Sequence, residues 1–463
     1  MFSASTYIER RKKLREKIKS GVILMPGNDE SPMNYTDNTY HYRQDSTFLY
    51  FFGIDFPGLT GIIDADSGKD YIFGNDYTID DIVWMGVQPT IKERCIQGGI
   101  ENSAPHGACG EFIADAIKKG RKIHYMPQYR ADNIIKLHQW LEIMPGDVNK
   151  NSSLELVKAA VEQRNFKSTE EIEEIHKAAL LSAEMHLAAM RYARPGMTEA
   201  NIMAKVYEVA LNANGNISFP IIATKNGQTL HNHYYGNRIE EGQLFLLDAG
   251  AEVESHYCGD LSSTFPVGRK FTERQKEIYN ASLAAHEHAV SMLKPGVKFR
   301  DVHISTCKVI AERMKEMGFM KGNIDDAVEA GAHAMFFPCG LGHMMGLDVH
   351  DMENLGEVYV GYEGEAKSTQ FGLKSLRLGR ELKPGFVFTI EPGIYFIPDL
   401  IDKWRGEKKF LEFLNYDKLD EYKNFGGCRN EEDFLITETG ARLLGKYLPK
   451  TVELIEAERE KAF

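Results

Sequence analysis

Apolar and polar residues follow two different patterns along the chain. Residues 1–165 alternate short helical patterns with apolar runs such as TFLYFFGI, LTGIIDA and DYIFG, which Gly, Pro and Asp residues separate. Runs of this kind are typical of β-strands, so we predict a mixed α/β domain over residues 1–165. Residues 166–463 combine long amphipathic helical patterns with strand-like apolar runs that contain acids. We predict a second, larger α/β (α+β) domain there.

A long helix opens the second domain. Ser168 followed by Glu171 is a capping box, which predicts a helix that begins there and ends before Pro195. Apolar residues at spacings of three and four predict its buried face. These residues are Ile175, Ala178, Leu181, Met185 and Ala188.

Two segments of the second domain are similar to each other. RPGMTEANIMAKVYEVA and KPGVKFRDVHISTCKVIA each follow a long helical pattern, and each opens another helix. The similarity suggests a duplicated unit of helices and sheet. Such a unit predicts pseudo-twofold halves with a site between them.

Composition narrows the class of partner. The 55 Lys and Arg residues against 67 Asp and Glu residues give a net charge of −12, which repels nucleic acid and anionic membrane surfaces. The N-terminal segment lacks the apolar core of a signal peptide, and no apolar stretch is long enough to span a bilayer. Six cysteines without a CxxC pair fit reduced thiols. We therefore expect a cytoplasmic protein with no nucleic-acid or membrane partner.

Four acidic residues lie beside predicted strands. Asp248 ends an apolar run and Asp260 follows across a hairpin-length connection, so antiparallel pairing would bring both carboxylates to one sheet face. Glu391 interrupts the run FVFTIEPGIYF, and Glu431 stands before the run FLIT. Converging buried carboxylates repel one another unless cations neutralise them. The pattern therefore predicts a site for two divalent metal ions.

Histidines near these acids complete the expected site. Four carboxylates and the imidazole of His343 make an oxygen-rich ligand set that suits Mn²⁺, with Co²⁺ or Zn²⁺ as alternatives. Two such ions would activate a shared water as a metal-bridged hydroxide and polarise a peptide carbonyl. His231 and His350 are suited to bind a substrate carbonyl or an oxyanion. The expected chemistry is peptide hydrolysis.

Motifs of competing enzyme classes are missing. The sequence has no GxGxxG, Walker or GxSxG motif, and Val290 stands where a zincin motif beginning at His286 needs its second histidine. Dinucleotide-binding, serine hydrolase and zincin interpretations therefore lose support.

The motifs occur in a characteristic order. DAG with a second Asp, then GLGHMMGLDVHD, TIEPG and EED, resembles the pita-bread metallopeptidases of the aminopeptidase P and prolidase family. YRQDSTFLYFFGIDFPG and VWMG are similar to the N-terminal domain of that family. The resemblance implies an aminopeptidase P-type N-terminal domain at residues 1–165 and a pita-bread (creatinase/aminopeptidase) catalytic domain at residues 166–463. It also implies substrates that are proline-containing peptides, and a homodimer or homotetramer.

The same resemblance implies a role for each metal-site residue. The implied metal ligands are Asp248, Asp260, His343, Glu391 and Glu431. Asp260 and Glu431 would bridge both ions, and Glu391 would also shuttle a proton.

Other positions match residues on the substrate side of the family's site. His231 and His350 match its substrate-contacting histidines, and Arg429 matches a catalytic-site arginine beside the last ligand. Cys339 stands where many members have histidine, and Asn430 replaces an isoleucine. The missing histidine would remove one substrate contact.

The resemblance leaves the preferred peptide length open. The insert DKWRGEKKFLEFLNYDKL and the segment KSLRLGR are more similar to prolidase, in which Arg377 would clamp the free carboxylate of a dipeptide. We therefore prefer an Xaa-Pro dipeptidase, with an Xaa-Pro aminopeptidase acting on longer peptides as the alternative. A creatinase-like hydrolase would lack the metals, and a non-catalytic pita-bread binding module would lack ligands that this chain keeps.

Overall fold

The computed structural model describes residues 1–463 and divides into two compact units. The first unit comprises Met1–Arg164 with Met352–Tyr359, and the second comprises Asn165–Asp351 with Val360–Phe463. No helix in either unit combines the length and the apolar character needed to cross a membrane.

The first 165 residues form seven α-helices and five strands. The helices are α1 (Ala4–Ile18), α2 (Ser46–Phe52), α3 (Ile79–Met85), α4 (Ile91–Gly98), α5 (Ala108–Lys118), α6 (Ala131–Leu141) and α7 (Leu154–Asn165). The strands are β1 (Val22–Pro26), β2 (Thr60–Asp64), β3 (Asp70–Phe73), β4 (Asn102–Ala104) and β5 (Ile123–His124). They make one mixed sheet in the order β4-β3-β2-β1-β5. The inner pairs β1–β2 and β2–β3 are antiparallel, and the outer pairs are parallel.

The prediction for one apolar run was wrong. LTGIIDA and DYIFG contain strands β2 and β3, as predicted, but TFLYFFGI contains helix α2. Every residue of α2 is buried, so the run lacks the one-sided pattern by which an amphipathic helix is recognised. Its ends carry the helix signals instead: the Asp45 side chain accepts from the Phe48 N–H, and Gly53 ends the helix in the left-handed conformation.

The remaining residues form nine α-helices and ten strands. The helices are α8 (Thr169–Tyr192), α9 (Glu199–Asn212), α10 (Glu273–Ser291), α11 (Phe299–Glu316), α12 (Ile324–Ala330), α13 (Glu357–Tyr362), α14 (Pro398–Gly406), α15 (Tyr416–Asp420) and α16 (Val452–Glu460). The strands are β6 (Asn216–Ile217), β7 (Ile222–Thr224), β8 (Leu244–Ala249), β9 (Ala251–Glu252), β10 (Leu261–Pro266), β11 (Val387–Ile390), β12 (Gly393–Tyr395), β13 (Gly427–Arg429), β14 (Glu432–Ile436) and β15 (Ala441–Leu443).

Helix α8 has the predicted capping box. The Ser168 side chain accepts from the Glu171 N–H, and the Glu171 side chain accepts in return from the Ser168 N–H. The predicted face is buried at Ile175, Ala178 and Met185, whereas Leu181 and Ala188 are only half-buried. The buried face of the helix is therefore shifted from the predicted one. It also includes small and polar residues such as Ser182 and His186, which pack inward.

The second unit repeats one order of elements. Helices α8 and α9 pack together and precede the antiparallel sheet β10-β8-β7, and helices α10 and α11 pack together and precede the antiparallel sheet β11-β14-β15. This is the order that a duplicated unit predicts. A bridge between Ser262 and Glu431 connects the two sheets, so the edges that carry the acids meet.

Candidate metal centre

Strands β8 and β10 bring Asp248 and Asp260 together. The strands are antiparallel, and Asp248 lies opposite Ser262. Asp260 precedes Ser262 by two positions, so its side chain emerges on the same face of the sheet. Both carboxylates are buried. The strand pairing that the sequence predicted is confirmed, and it places two like charges side by side.

Backbone contacts hold the loop of His343 against β11. The Thr389 N–H donates to the His343 carbonyl at 3.0 Å, and the His343 N–H donates to Thr389 Oγ1 at 3.2 Å. A Cβ at Gly342 would lie 2.0 Å from the Thr389 carbonyl oxygen, so only glycine permits this approach. His343 Nδ1 donates to the Met344 carbonyl at 3.2 Å. Nε2 is therefore the ring atom that can bind a cation.

Glu391 and Glu431 extend two paired strands. Glu391 directly follows β11 and Glu431 directly precedes β14, and these strands are antiparallel with Ile390 opposite Glu432. The Glu431 N–H donates to the Ser262 carbonyl at 3.1 Å, which attaches it to the strand that follows Asp260. The two halves of the second unit thus each contribute two of the four acids.

The side chains converge on a small volume. Ligand atoms of Asp260, His343 and Glu431 all lie within 4.8 Å of one another. His343 Nε2 is 3.4 Å from Asp260 Oδ2 and 3.7 Å from Glu391 Oε1. Asp248 acts on this group as a charge that raises the pKa of Asp260. The five predicted ligands therefore lie in one cluster.

Arg429 is fixed by three hydrogen bonds in this cluster. Its Nη2 donates to Asp248 Oδ2, its Nε donates to Ser262 Oγ at 2.9 Å, and its Nη1 donates to the Tyr395 hydroxyl at 3.0 Å. Ser262 in turn donates to Glu431 Oε2 at 2.6 Å. The arginine therefore orients two of the acids, one directly and one through Ser262.

Alternation along β14 separates three consecutive acids. Glu431 faces the cluster, and Asp433, two positions later, accepts a hydrogen bond from the Asp260 N–H at 3.1 Å. Glu432 points to the other side, where it pairs with Lys450. Of the three acids in the EED motif, only Glu431 lines the cavity.

Sequence reasoning missed Ser262, Tyr395 and Asp433. The strand register opposite Asp248 was a signal for Ser262, and the period-two pattern after Glu431 was a signal for Asp433. For Tyr395 the sequence carried no comparable signal, since its hydroxyl reaches Arg429 only through the pairing of β12 with β13.

Burial and like charge raise the pKa values of the acids. Burial raises the pKa of Asp260 well above its usual range, and the Asp248 charge adds to the effect. Burial and then the Asp260 charge raise the pKa of Glu431 in the same way. Burial raises the pKa of Glu391 to about 7, although His343 opposes the shift. Without cations, the site favours protonated acids.

The arrangement fits divalent metal ions. Asp248 Oδ1 and Asp260 Oδ1 are buried and have no hydrogen-bond partner, a state that is costly for a carboxylate oxygen. Cations would supply those partners and would displace the protons that the raised pKa values retain. A set of four carboxylates and one imidazole is of the kind that first-row divalent ions accept.

All nine predicted site residues line one cavity. Its volume is about 660 Å³, which is in the usual range for small-ligand sites. The metal-site residues share it with His231, His350, Arg377 and Arg429. The rings of His343 and His350 meet edge to face, with centroids 4.3 Å apart. His231 is exposed as a whole residue, whereas partial desolvation of its ring lowers the pKa of the imidazole.

The two departures from the family pattern lie in different surroundings. Cys339 lines the cavity, and burial raises the pKa of its thiol to about 12. Asn430 is buried away from the cavity and accepts a hydrogen bond from the Tyr279 hydroxyl at 2.8 Å. Only the cysteine is in a position to meet a ligand.

Comparison with known proteins identifies the family. The model of metallopeptidase family M24 matches residues 173–438, and the model of the aminopeptidase P N-terminal domain matches residues 7–125. Human Xaa-Pro dipeptidase is 30% identical over 97% of this chain and 90% of its own length. Escherichia coli Xaa-Pro aminopeptidase is 29% identical over 98% of this chain and 97% of its own. The structure of Zn-substituted Escherichia coli aminopeptidase P in complex with product superposes with a TM-score of 0.82 at 27% identity, covering 100% of this chain and 99% of the other. The chain therefore belongs to metallopeptidase family M24, a family of metal-dependent peptidases.

Proposed function

We propose that this protein is a dinuclear-metal Xaa-Pro peptidase of the prolidase type, which hydrolyses the Xaa-Pro bond of dipeptides. One observation carries the proposal: four carboxylates and one imidazole converge in a cavity that Arg377 also lines. The similarity to human Xaa-Pro dipeptidase over nearly the whole chain supports it.

The proposed metal ligands are Asp248, Asp260, His343, Glu391 and Glu431. Asp260 and Glu431 would contact both ions, as the family resemblance implies, and their ligand atoms lie within 4.8 Å of each other and of His343. We assign Mn²⁺ as the metal, with Co²⁺ and Zn²⁺ as alternatives, because oxygen ligands dominate the set. When bound, two such ions lower the pKa of a shared water and polarise the peptide carbonyl.

Glu391 is assigned as the proton shuttle. Its side chain lines the cavity, with Oε1 3.7 Å from His343 Nε2, where a carboxylate can accept a proton from a water molecule and pass it on. It takes a proton from the attacking water and gives one to the proline nitrogen as the peptide bond breaks.

Three other cavity residues act on the substrate and on the ligands. His231 and His350 hydrogen-bond the substrate carbonyl and the oxyanion that forms from it. Arg429 belongs to the catalytic machinery because it orients Asp248 and, through Ser262, Glu431.

Arg377 is the proposed basis of dipeptide preference. It lines the same cavity as the two histidines, and its guanidinium offers a bidentate contact to the carboxylate at the end of an Xaa-Pro dipeptide. A longer peptide has an amide at that position, so it gains less from the contact.

An Xaa-Pro aminopeptidase acting on longer peptides is the second candidate. The similarity to the Escherichia coli Xaa-Pro aminopeptidase, at nearly the same identity and over nearly the whole chain, favours it. A non-catalytic binding module has less support, because such a module needs no complete set of buried acids.

The proposal also covers the role of each domain, the cellular location of the protein and its oligomeric state. We assign residues 1–165 to an aminopeptidase P-type N-terminal domain and residues 166–463 to catalysis. Six free cysteines support a cytoplasmic enzyme. We propose that the protein forms a homodimer or homotetramer. Its molecular mass, measured by light scattering during size-exclusion chromatography, would test this.

Hydrolysis rates on two matched substrates test the proposed activity. The Mn²⁺-loaded protein is incubated with an Xaa-Pro dipeptide and with a longer peptide that begins with the same two residues. Faster hydrolysis of the dipeptide supports the prolidase assignment, and faster hydrolysis of the longer peptide identifies an aminopeptidase P. Cleavage of neither substrate, with metal bound, would refute both.

A further inference from the structure

A second group of metal-binding side chains lies apart from the acidic cluster. His303 and Cys307 are four residues apart on α11, and His333 lies in the short turn Ala332–Met335 that follows α12. Their ligand atoms all lie within 4.8 Å of one another. None of the three belongs to the proposed catalytic site.

The group is buried and its nitrogens are incompletely satisfied. His303 and Cys307 are each 1% exposed and His333 is 4% exposed. Cys307 Sγ lies 3.5 Å from His303 Nε2. The Nδ1 atoms of His303 and His333 are buried and have no partner at hydrogen-bond distance, although the Val328 backbone is near enough to the His333 ring to oppose the lowering of its pKa. A buried imidazole nitrogen without a hydrogen-bond partner is costly. A metal ion bound at such a nitrogen would remove this cost.

The chemistry of the donors distinguishes this group from the catalytic cluster. Imidazole nitrogen and thiolate sulfur are donors that suit Zn²⁺ and similar ions, whereas the catalytic cluster is dominated by carboxylate oxygens. The His303 ring also packs on Phe337, with centroids 5.6 Å apart, which restricts its orientation. The distances between the three side chains, their burial and their donor atoms therefore all indicate a metal site.

The charges around the group are compatible with a divalent ion. Burial lowers the pKa of His303 to about 3 and that of His333 to about 4, so both rings are neutral and can bind metal at neutral pH. The Arg300 guanidinium is near enough to lower the pKa of His303 further. Burial raises the pKa of the Cys307 thiol well above its usual value, so the thiolate would form only as a cation binds and takes up its charge.

We propose that His303, Cys307 and His333 bind one divalent ion of the zinc type, which links α11 to the turn Ala332–Met335. Binding forms a sulfur–metal bond as the Cys307 thiol releases its proton to solvent, with no change of oxidation state. The three donors are not among the proposed catalytic residues, and the ion would stabilise the contact between α11 and the turn.

Cobalt substitution tests the site directly. Co²⁺ bound to a thiolate gives intense charge-transfer absorption in the near ultraviolet, which carboxylate and imidazole ligands alone do not give. We expect this band in the Co²⁺-loaded protein, its loss in Cys307→Ser and its loss on addition of excess Zn²⁺. The matched control is Cys109→Ser, which changes a fully buried cysteine of the first unit and should keep the band.

Two further variants separate this site from the catalytic one. Asp260→Ala should lose catalytic metal and yet keep the band. Cys339→Ser removes the thiol that lines the catalytic cavity and should also keep the band. Absence of the band, its survival in Cys307→Ser, or its loss in Cys339→Ser would overturn the proposal.

A second substitution tests the site even if the Cys307→Ser variant does not fold. His333→Gln should weaken the band while circular dichroism remains that of the parent protein. If Cys307→Ser fails to fold, a full-intensity band in a folded His333→Gln variant would refute the three-ligand site.

Discussion

Arg429 donates a hydrogen bond from Nη2 to Asp248 Oδ2, and so joins β13 to β8 across the two halves of the second unit. The same guanidinium donates to Ser262 and Tyr395. Because three acceptors hold it, Arg429 cannot turn toward a substrate without losing these bonds. These hydrogen bonds indicate that Arg429 orients Asp248, whose Oδ1 remains without a hydrogen-bond partner.

Substitution of Arg429 should weaken metal binding. Arg429→Lys keeps the charge but cannot reach three acceptors at once, so Asp248 and Ser262 lose their fixed orientation. We expect a loss of roughly 10- to 100-fold in metal affinity or turnover, the range found for residues that orient metal ligands. Metal titration and initial rates measure it. Arg442→Lys, at an exposed position on β15, is the matched control, and equal effects in both variants would contradict the assignment.

Metal binding and turnover should respond to different residues. Asp260→Ala removes a proposed bridging carboxylate, so both metal content and activity should be lost. His350→Ala leaves every proposed ligand in place, so metal should be retained while turnover falls. Elemental analysis beside initial rates distinguishes the two. Equal metal loss in both variants would show that this division of roles is wrong.

Arg377 should matter most for dipeptides. Loss of a charge-assisted hydrogen bond costs about 1.5–3 kcal/mol, or roughly 10- to 100-fold in binding. Arg377→Ala should therefore raise KM for an Xaa-Pro dipeptide by that factor and change KM for a longer peptide far less. Lys374→Ala changes an exposed neighbour and should alter neither. Equal increases in KM for both substrates would argue against a carboxylate clamp.

Acid should destabilise the second unit through a buried histidine. His186 is fully buried, with Nδ1 2.6 Å from Ser263 Oγ and Nε2 3.0 Å from the Ala249 carbonyl, which suits the neutral ring. Burial lowers its pKa from 6.5 to about 4. Between these two values the unfolded chain binds more protons at this residue than the folded chain. The contribution of His186 to stability is therefore complete above pH 6.5 and is lost as the pH falls toward 4.

Chemical denaturation at a series of pH values measures this effect. The slope from His186 should reach about 1.4 kcal/mol per pH unit within the window. His186→Gln preserves a donor and an acceptor but does not titrate, so its free energy of unfolding should depend less on pH. His41→Gln, at an exposed position, should follow the parent protein. An unchanged slope in His186→Gln would exclude His186 as the cause.

Local signals in the sequence were sufficient for much of the fold. The capping box at Ser168 and Glu171 correctly predicted where α8 begins. The spacing of Asp248 and Asp260 correctly predicted the pairing of β8 with β10. Where burial is complete on all sides, the local pattern failed, as in α2. A run that is apolar throughout has no periodicity by which a helix can be told from a strand.

The sequence by itself determined which side chains could bind metal and in what order they occur, because ligand chemistry and strand-end positions are local properties. The tertiary structure alone decided which of them meet. Ser262 and Tyr395 reach Arg429 only after distant strands have paired, and His333 reaches His303 and Cys307 only when the turn packs on α11. Convergence of this kind depends on long-range packing, which the spacing of residues along a chain records only for neighbouring strands such as β8 and β10.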